Sequence, residues 1–394
     1  MTAGSREPFV SGLGLSEIGR RLSATSLDLA LDSARAAIAD AGIEVGDIDG
    51  VATLGDAPQS VVTRALGIEP VVRLGKVGRT ALFSPFLDAV EAVRNGLARH
   101  VLIYRSVNML GGSYDPNATQ DPERDAKLDP GQHWRADLEY LNTDMDLLLA
   151  AQAFSAANWF ALHCQRHMHS YGTTKEQLGW LAVSSRRHAA LNPHAVYRAP
   201  LTLDDYLDAR VISEPFGLLD CDVPVDGSVA LVISHHGHVE DCPHPPIRVA
   251  ATGGADGAGG WTQRRDFPNM AMVDAAKQMW DGTDLRPADV DVAQLYDGFT
   301  FLTLAWLEAL GLCGVGESGP FVEGGDRIAL SGSLPLNTYG GQLSAGRLHG
   351  HWILHEACLQ LRGEAGARQV PGEPEIAVVS NGGGPMAGCA LLTR

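Results

Sequence analysis

Tyr296, in the run LYDGF, directly follows an apolar stretch, where a strand passes its last side chain to a loop. A phenol there can act as acid or base if a cation lowers its pKa from about 10; it equally suits half-buried packing. A second candidate is PLNTYGGQLSAGRLHGHWILHEA (335–357). Gly340 and Gly341 are adjacent, and Arg347 and His349 precede a helix, a loop pattern whose backbone must approach a ligand. On that helix His351 and His355 are four apart, with Glu356 next, so both imidazoles share one face. The Glu of the HExxH motif is missing and no third ligand is near, so helix packing explains the pair better than a metal does. SNGGGPMAG (380–388) lies between two short strands and reads either as a tight turn or as a backbone hairpin lining a site. LGKVGRTALFSPFLDAVEAVRNG (74–96) is a glycine turn entering an apolar helix. It suits an oxyanion held on amide donors, or a plain strand-to-helix connection. With no GxxxxGK[ST] and no suitably placed glycine fingerprint, nucleotide-dependent phosphoryl or hydride chemistry has no support.

The elements that must position these residues read as alternating α and β layers. Leu27, Leu31, Ala34, Ile38 and Ala41 form the stripe of an amphipathic helix from about Ser26 to Ala41, with Thr25 and Asp28 as a capping box and Gly42 as its stop. A turn then leads to a strand at Val51 to Leu54. The same order recurs at 274–297: placing Asp49 on Asp291 also places Ile43 on Leu285, Asp47 on Asp289 and Ile48 on Val290, all 242 residues apart. That match predicts an internal duplication. Buried strands are expected at 101–104, 229–234, 247–251, 376–380 and 389–393, with helices between them. Residues 111–148 lack periodicity and read as an inserted cap, followed by a helix near 151–167; 236–246 reads as a linker. The expected division is an N-terminal half, 1–235, with the inserted region at about 111–170, and a C-terminal half, 246–394.

Composition narrows the function classes. The 394 residues hold 30 Lys and Arg against 47 Asp and Glu, a net charge of −17, which does not suit general binding to nucleic-acid phosphate or anionic lipid. Apolar residues at 45% allow a large core, yet no run approaches a membrane span and no secretory signal is visible at the start. Six cysteines without CxxC pairs read as reduced thiols. A soluble cytoplasmic protein is expected.

Taken together, SGLGLSEIGRR, ALDSARAAIADAGI, VSSRRHAALNPHAVYR, DCDVPVDGSVALVIS, YDGF, NTYGGQLSAGRLHG and NGGGPMAG resemble, in order, the thiolase superfamily, and in particular its sterol-carrier-protein-x-like branch. The resemblance spans nearly the whole chain. It implies the α/β thiolase fold, a duplicated five-layer αβαβα core with an inserted loop or cap, usually paired as a dimer across the N-terminal halves. The catalytic residues of thiolases are replaced. Their nucleophilic cysteine falls on Arg79 or a neighbour, their catalytic histidine on Arg347, and their second cysteine on Ser380; their Asn-Glu-Ala-Phe or His-Asp-Cys-Phe segment has become Tyr296-Asp297-Gly298-Phe299. Claisen chemistry needs the nucleophile and its base, and both are gone.

What remains is similar to the thiolase-like aldolases that shorten steroid side chains. The resemblance therefore implies retro-aldol cleavage of a β-hydroxyacyl-CoA to a short acyl-CoA and a ketone or aldehyde, in steroid or related lipid degradation. The coenzyme A thioester is substrate, with no cofactor or metal bound by this chain. The implied partner is a small OB-fold protein, often with a zinc ribbon, in a heterotetramer of two large and two small subunits around a homodimer. Tyr296 takes the base role, and Arg347 lowers its pKa or binds the enolate or hydroxyl. Gly340, Gly341, Asn381, Gly382, Gly383 and Gly384, with Asp297, form the oxyanion and substrate-binding set, and His349 or Tyr339 returns a proton to carbon. Such aldolases use two tyrosines; the second falls on Arg347, eight residues after Tyr339. Arg264 and Arg265 are candidate coenzyme A contacts. Two other readings stay open: an acyl-CoA acyltransferase of unusual mechanism, and a non-catalytic acyl-CoA or lipid-binding subunit of a complex.

Overall fold

The computed structural model describes residues 7–54, 56–74, 81–111, 144–256 and 260–394. The turn that holds Arg79 and most of the expected cap at 111–148 lie outside the described residues. The strands are β1 (Pro8–Leu15), β2 (Gly50–Thr53), β3 (Val72–Leu74), β4 (His100–Asn108), β5 (Val211–Ser213), β6 (Phe216–Gly217), β7 (Asp226–His235), β8 (Ile247–Asp256), β9 (Val292–Gln294), β10 (Ile376–Gly383) and β11 (Met386–Thr393). Nine of them hydrogen-bond in the order β3-β2-β4-β7-β1-β8-β11-β10-β9, and β5 and β6 form a separate pair. The nine-stranded sheet joins two sets across β1 and β8, which pair through Phe9 with Arg248 and Val10 with Ile247.

The layers follow from which faces are apolar. Helix Ser26–Asp40 covers the outer face of the first set, packing Ala30, Ala34, Ala37 and Ile38 against Leu102, Tyr104, Ala230 and Val232. The alternate residues of the same strands, Val101, Ile103, Leu231 and Ile233, face the larger central core. Strands covered on both faces need continuous apolar runs, which is why VLIY and VALVIS carry no polar alternation. Helix Ala271–Asp281 covers β8, β10 and β11 in the same way. Helices Ser84–Arg94 and His351–Arg362 lie between, each touching strands of both sets, so the five layers read α, β, α, β, α.

The duplication is visible in local geometry. Thr25 and Asp28 cap the first helix as expected, with Thr25 Oγ1 accepting the Asp28 amide at 3.1 Å. In the first set Asp49 accepts the Arg99 and His100 amides at 2.9 Å and donates its own N–H to the His100 carbonyl at 3.2 Å. In the second, Asp291 accepts the Glu375 and Ile376 amides at 2.8 and 2.9 Å and donates its N–H to the Ile376 carbonyl at 3.0 Å. Each aspartate thereby ties the start of one parallel strand pair, β2 with β4 and β9 with β10. Helix packs on strand equally closely in both sets: a Cβ on Gly14 would meet the Ser33 carbonyl at 2.0 Å, and one on Gly253 the Ala275 carbonyl at 1.9 Å. The expected helix near 151–167 begins later, at Ala156, and runs to Tyr171. Among the described residues no helix is long and apolar enough to cross a membrane.

Candidate active site

Tyr296 leaves the end of β9 under two restraints. The Leu295 amide donates to Asn337 Oδ1 at 2.7 Å, and the Tyr296 amide donates to Ser380 Oγ at 3.0 Å. Gly298 then lets the ring fold back, because a Cβ there would lie 2.8 Å from Tyr296 Cε1 and 3.2 Å from its hydroxyl. Between them Asp297 turns the other way and accepts the Gln342 and Leu343 amides at 3.0 and 3.4 Å. That carboxylate explains the adjacent glycines. Gly341 has φ +63°, and a Cβ on it would meet Asp297 Oδ2 at 1.9 Å. Gly340 packs against Ala189, and its amide already donates to the Asn337 carbonyl at 2.9 Å.

The chain next places Arg347 and His349. The Arg347 amide donates to the Val223 carbonyl at 2.8 Å, while Nη1 reaches Asp222 Oδ1 at 3.1 Å and Nη2 reaches Met109 Sδ at 3.0 Å. His349 takes a left-handed φ of 48°, a conformation costing a non-glycine residue on the order of 1 kcal/mol. Two contacts hold it there. Arg105 Nη2 lies 2.7 Å from His349 Nδ1, and Asn381 Nδ2 donates to the His349 carbonyl at 2.9 Å. A guanidinium can only donate, so Nδ1 accepts and the proton of the neutral ring sits on Nε2.

Tyr296, Arg347, His349 and Asp222 line one cavity of about 310 Å³. The Gly382–Gly383 edge of the β10–β11 hairpin closes one side, and Phe160, Trp261, Phe299 and Leu302 supply an apolar wall. The wall is interlocked: Phe160 meets Trp261 at 5.1 Å and Phe299 at 5.4 Å between ring centroids. Other expected residues stand behind this surface. Tyr339 is fully buried, packs on Trp352 at 5.1 Å, and its hydroxyl has no hydrogen-bond partner among the described residues. Asp297, Gly340, Gly341 and Asn381 shape the loops without lining the cavity, and the Gly384 amide donates to Met270 Sδ at 3.1 Å. Arg264 is paired with Asp266 and Asp274 at 3.1 and 2.6 Å, while Arg265 is exposed. His351 and His355 are buried within the central helix; among the described residues no group of three potential ligands could hold a metal ion.

Charge states follow from burial. Burial and the neighbouring Asp222 hold the Tyr296 phenol above its ordinary value, against the lowering effect of Arg347. The phenol therefore keeps its proton at rest, with Arg347 engaged by Asp222. Burial raises Asp222 to about 7, opposed by Arg347 and assisted by Asp297. Burial also raises Asp297 to about 6, opposed by the two amides it accepts. His349 is pushed well below its usual range by burial, Arg105 and Arg347. All six cysteines are free, and burial raises every thiol, Cys221, Cys313 and Cys358 to about 12. None is poised as a thiolate nucleophile.

Arg105, which contacts His349, and Asp222, which lines the cavity, are the charged residues here that reading the sequence missed. Both sit in runs that read as structural: Arg105 continues the apolar VLIY strand, and Asp222 precedes the apolar β7. For Arg105, a charged residue continuing so apolar a run was the available signal; Asp222, among the aspartates of DCDVPVD, offered none.

The chain is similar to known proteins over nearly its whole length. Residues 255–392 match the family model described as "Thiolase C-terminal domain-like". The chain is 34% identical to a steroid side-chain-cleaving aldolase of Thermomonospora curvata, covering 97% of each. It is 31% identical to the 17-hydroxy-3-oxo-4-pregnene-20-carboxyl-CoA lyase of Mycobacterium tuberculosis, covering 98% of this chain and 99% of that one. Among solved structures, the one titled Ltp2-ChsH2(DUF35) aldolase superposes with a TM-score of 0.85 at 31% identity, over 99% of this chain and 98% of that chain. Acetyl-CoA acetyltransferase of Syntrophomonas wolfei shares the fold, with a TM-score of 0.65 at 17% identity over 99% of both chains. The chain is an enzyme of the thiolase superfamily, from the sterol-carrier-protein-x-like branch that lacks the catalytic cysteines, and an aldolase and a lyase are among its relatives.

Proposed function

We propose that this chain is a retro-aldolase that cleaves a β-hydroxyacyl-CoA into a short acyl-CoA and a ketone or aldehyde, in the breakdown of steroid or related lipid side chains. The observation that carries this reading is a single cavity joining Tyr296, Arg347 and His349 to a glycine edge, in a chain whose thiols are all held protonated. Proton-transfer groups line the cavity and no cysteine is poised as a nucleophile, which suits C–C cleavage by deprotonation and disfavours thiolate-based acyl transfer. In that reaction the β-hydroxyl loses its proton, its bonding pair becomes the new C=O, and the Cα–Cβ pair passes into a thioester enolate. Backbone amides along Gly382 and Gly383 hold the enolate oxygen, with Arg347 nearby as the fixed positive charge. Tyr296, protonated at neutral pH, and His349, carrying its proton on Nε2, are the donors available to the enolate carbon. Asp297, Gly340, Gly341, Asn381 and Gly384 set the shape of the loops, and Tyr339 supports Tyr296 from behind. The apolar wall of Phe160, Trp261 and Phe299 receives the acyl chain.

The relatives named for steroid side-chain cleavage, and for a carboxyl-CoA lyase, support the thioester substrate and the lipid class. The structure titled as a complex with a DUF35 component supports an OB-fold partner, which we place in a heterotetramer built on a homodimer of this chain. The test is mass spectrometry of coenzyme A products from tertiary β-hydroxyacyl-CoA thioesters, with and without that partner. Acetyl-CoA or propionyl-CoA together with a carbonyl fragment is the expected result. No cleavage, with thiolysis of β-ketoacyl-CoA also absent, would make the chain a binding subunit instead.

A further inference from the structure

We propose that Asp222 is the general base of this site and receives the proton that leaves the β-hydroxyl. The inference rests on the retro-aldolase reading and adds the group which that reading lacks, since the cavity holds Tyr296 as a neutral phenol and His349 Nδ1 is occupied by Arg105.

Backbone geometry fixes Asp222 at the reacting centre. Cys221 bridges Phe299 in antiparallel fashion, and the Asp222 amide donates to the Gly298 carbonyl at 3.1 Å. One residue on, the Val223 amide donates to the Gln342 carbonyl at 2.9 Å, and its carbonyl accepts the Arg347 amide at 2.8 Å. The run 221–223 is thus stitched between the loop that carries Tyr296 and the loop that carries Arg347. The side chain is 10% exposed, and it opens on the cavity that Tyr296 lines. Oδ1 takes the single bond from Arg347, and among the described residues Oδ2 makes no hydrogen bond. An arginine that only neutralised a buried carboxylate would gain most from gripping both oxygens; the end-on contact leaves one oxygen for the substrate.

The charged and titratable groups facing Asp222 are Arg347 on one loop, Tyr296 and Asp297 on the other, Tyr339 behind them and the adjacent Cys221. Burial raises the carboxyl to about 7, with Arg347 opposing and Asp297 assisting, so it can both take and release a proton near neutrality. The cycle then closes without any co-reactant. Oδ2 takes the hydroxyl proton, the O–H pair forms the carbonyl, and the Cα–Cβ pair forms the enolate. Tyr296 protonates Cα, and the protonated Asp222 restores the Tyr296 proton.

The test compares wild type, Asp222→Asn and Asp222→Glu, each with its OB-fold partner, on a tertiary β-hydroxyacyl-CoA. Asp222→Asn is expected to lower kcat on the order of 10²- to 10⁴-fold while KM moves only a few-fold. Wild-type kcat/KM is expected to rise with pH through about 7, because the base must be ionised, and the residual activity of Asp222→Asn is expected to lose that rise. Asp222→Glu is expected to keep the rise with reduced turnover. A wild type that cleaves while Asp222→Asn cleaves equally well, or raises KM and keeps the acidic limb, overturns the base and leaves the aldolase standing. If Asp222→Asn fails to fold, a wild-type profile that is flat across pH 5.5 to 8.5 overturns the base by itself. A wild type that cleaves nothing overturns the parent reading and this one with it.

Discussion

The two strand sets of this molecule share a frame and differ in what they mount on it. Leu54 and Tyr296 stand 242 residues apart, each just past the strand whose preceding aspartate latches the next parallel strand. In the first set the Leu54 carbonyl accepts a bond from Arg105 Nη1 and the side chain offers no chemistry. In the second the corresponding residue is a phenol in a cavity. Strand register extends the correspondence. Ala52 pairs with Ile103 as Gln294 pairs with Val379, so Arg105 and Asn381 are equivalent, and both grip His349, one by its ring and one by its carbonyl. The frame itself is chemically silent. The cavity draws on both halves, with Tyr296, Arg347 and His349 from the second and Asp222 from the first, so equivalent strand ends carry unequal shares of its lining.

The sharpest way to break the comparison is Tyr296→Phe, which makes the second strand end as inert as the first. Turnover is expected to fall at least about 100-fold, roughly 3 kcal/mol of barrier, with little change in melting temperature. Unchanged product formation by mass spectrometry would remove Tyr296 from the proton path. Next in size is Gly341→Ala. The new Cβ would collide with Asp297 Oδ2 at 1.9 Å with φ at +63°, so a stability loss of about 2 to 3 kcal/mol in urea unfolding is expected, with activity falling as the loop shifts. The smallest effect sharpens the symmetry. Asp49→Ala and Asp291→Ala remove matched latches, each expected to cost about 1 to 2 kcal/mol, and equal within error. A large difference in denaturant midpoint between the two would show that the halves do not share their frame energetically.

Much of the frame was legible in the sequence because it is written in local and periodic signals. The stripe on helix Ser26–Asp40, its Thr25–Asp28 box and the paired aspartates need no knowledge of distant contacts. The site was legible only in part. Tyr296, Arg347 and His349 do converge, because each follows a strand end or precedes a helix. Gly340 and Gly341 pointed to a ligand, yet the backbone there is tight around the Asp297 carboxylate and Ala189, which no spacing reveals. Asp222 and Arg105 were hidden for the opposite reason. Their importance lies in partners 125 and 244 residues away, Arg347 and His349.

The aspartate latch has a consequence for how such a chain tolerates change. The bonds that Asp49 and Asp291 share go to main-chain amides, at Arg99 and His100 in one case and Glu375 and Ile376 in the other, and Asp49 adds a long contact to the exposed Arg99 side chain at 3.5 Å. A latch made chiefly on main chain constrains one codon and leaves the side chains of its two partners largely free to drift. Arg, His, Glu and Ile now fill equivalent places without disturbing the joint. The ancestry of the two halves therefore survives in a contact made chiefly on main chain, while the residues at the two strand ends, Leu54 and Tyr296, have diverged.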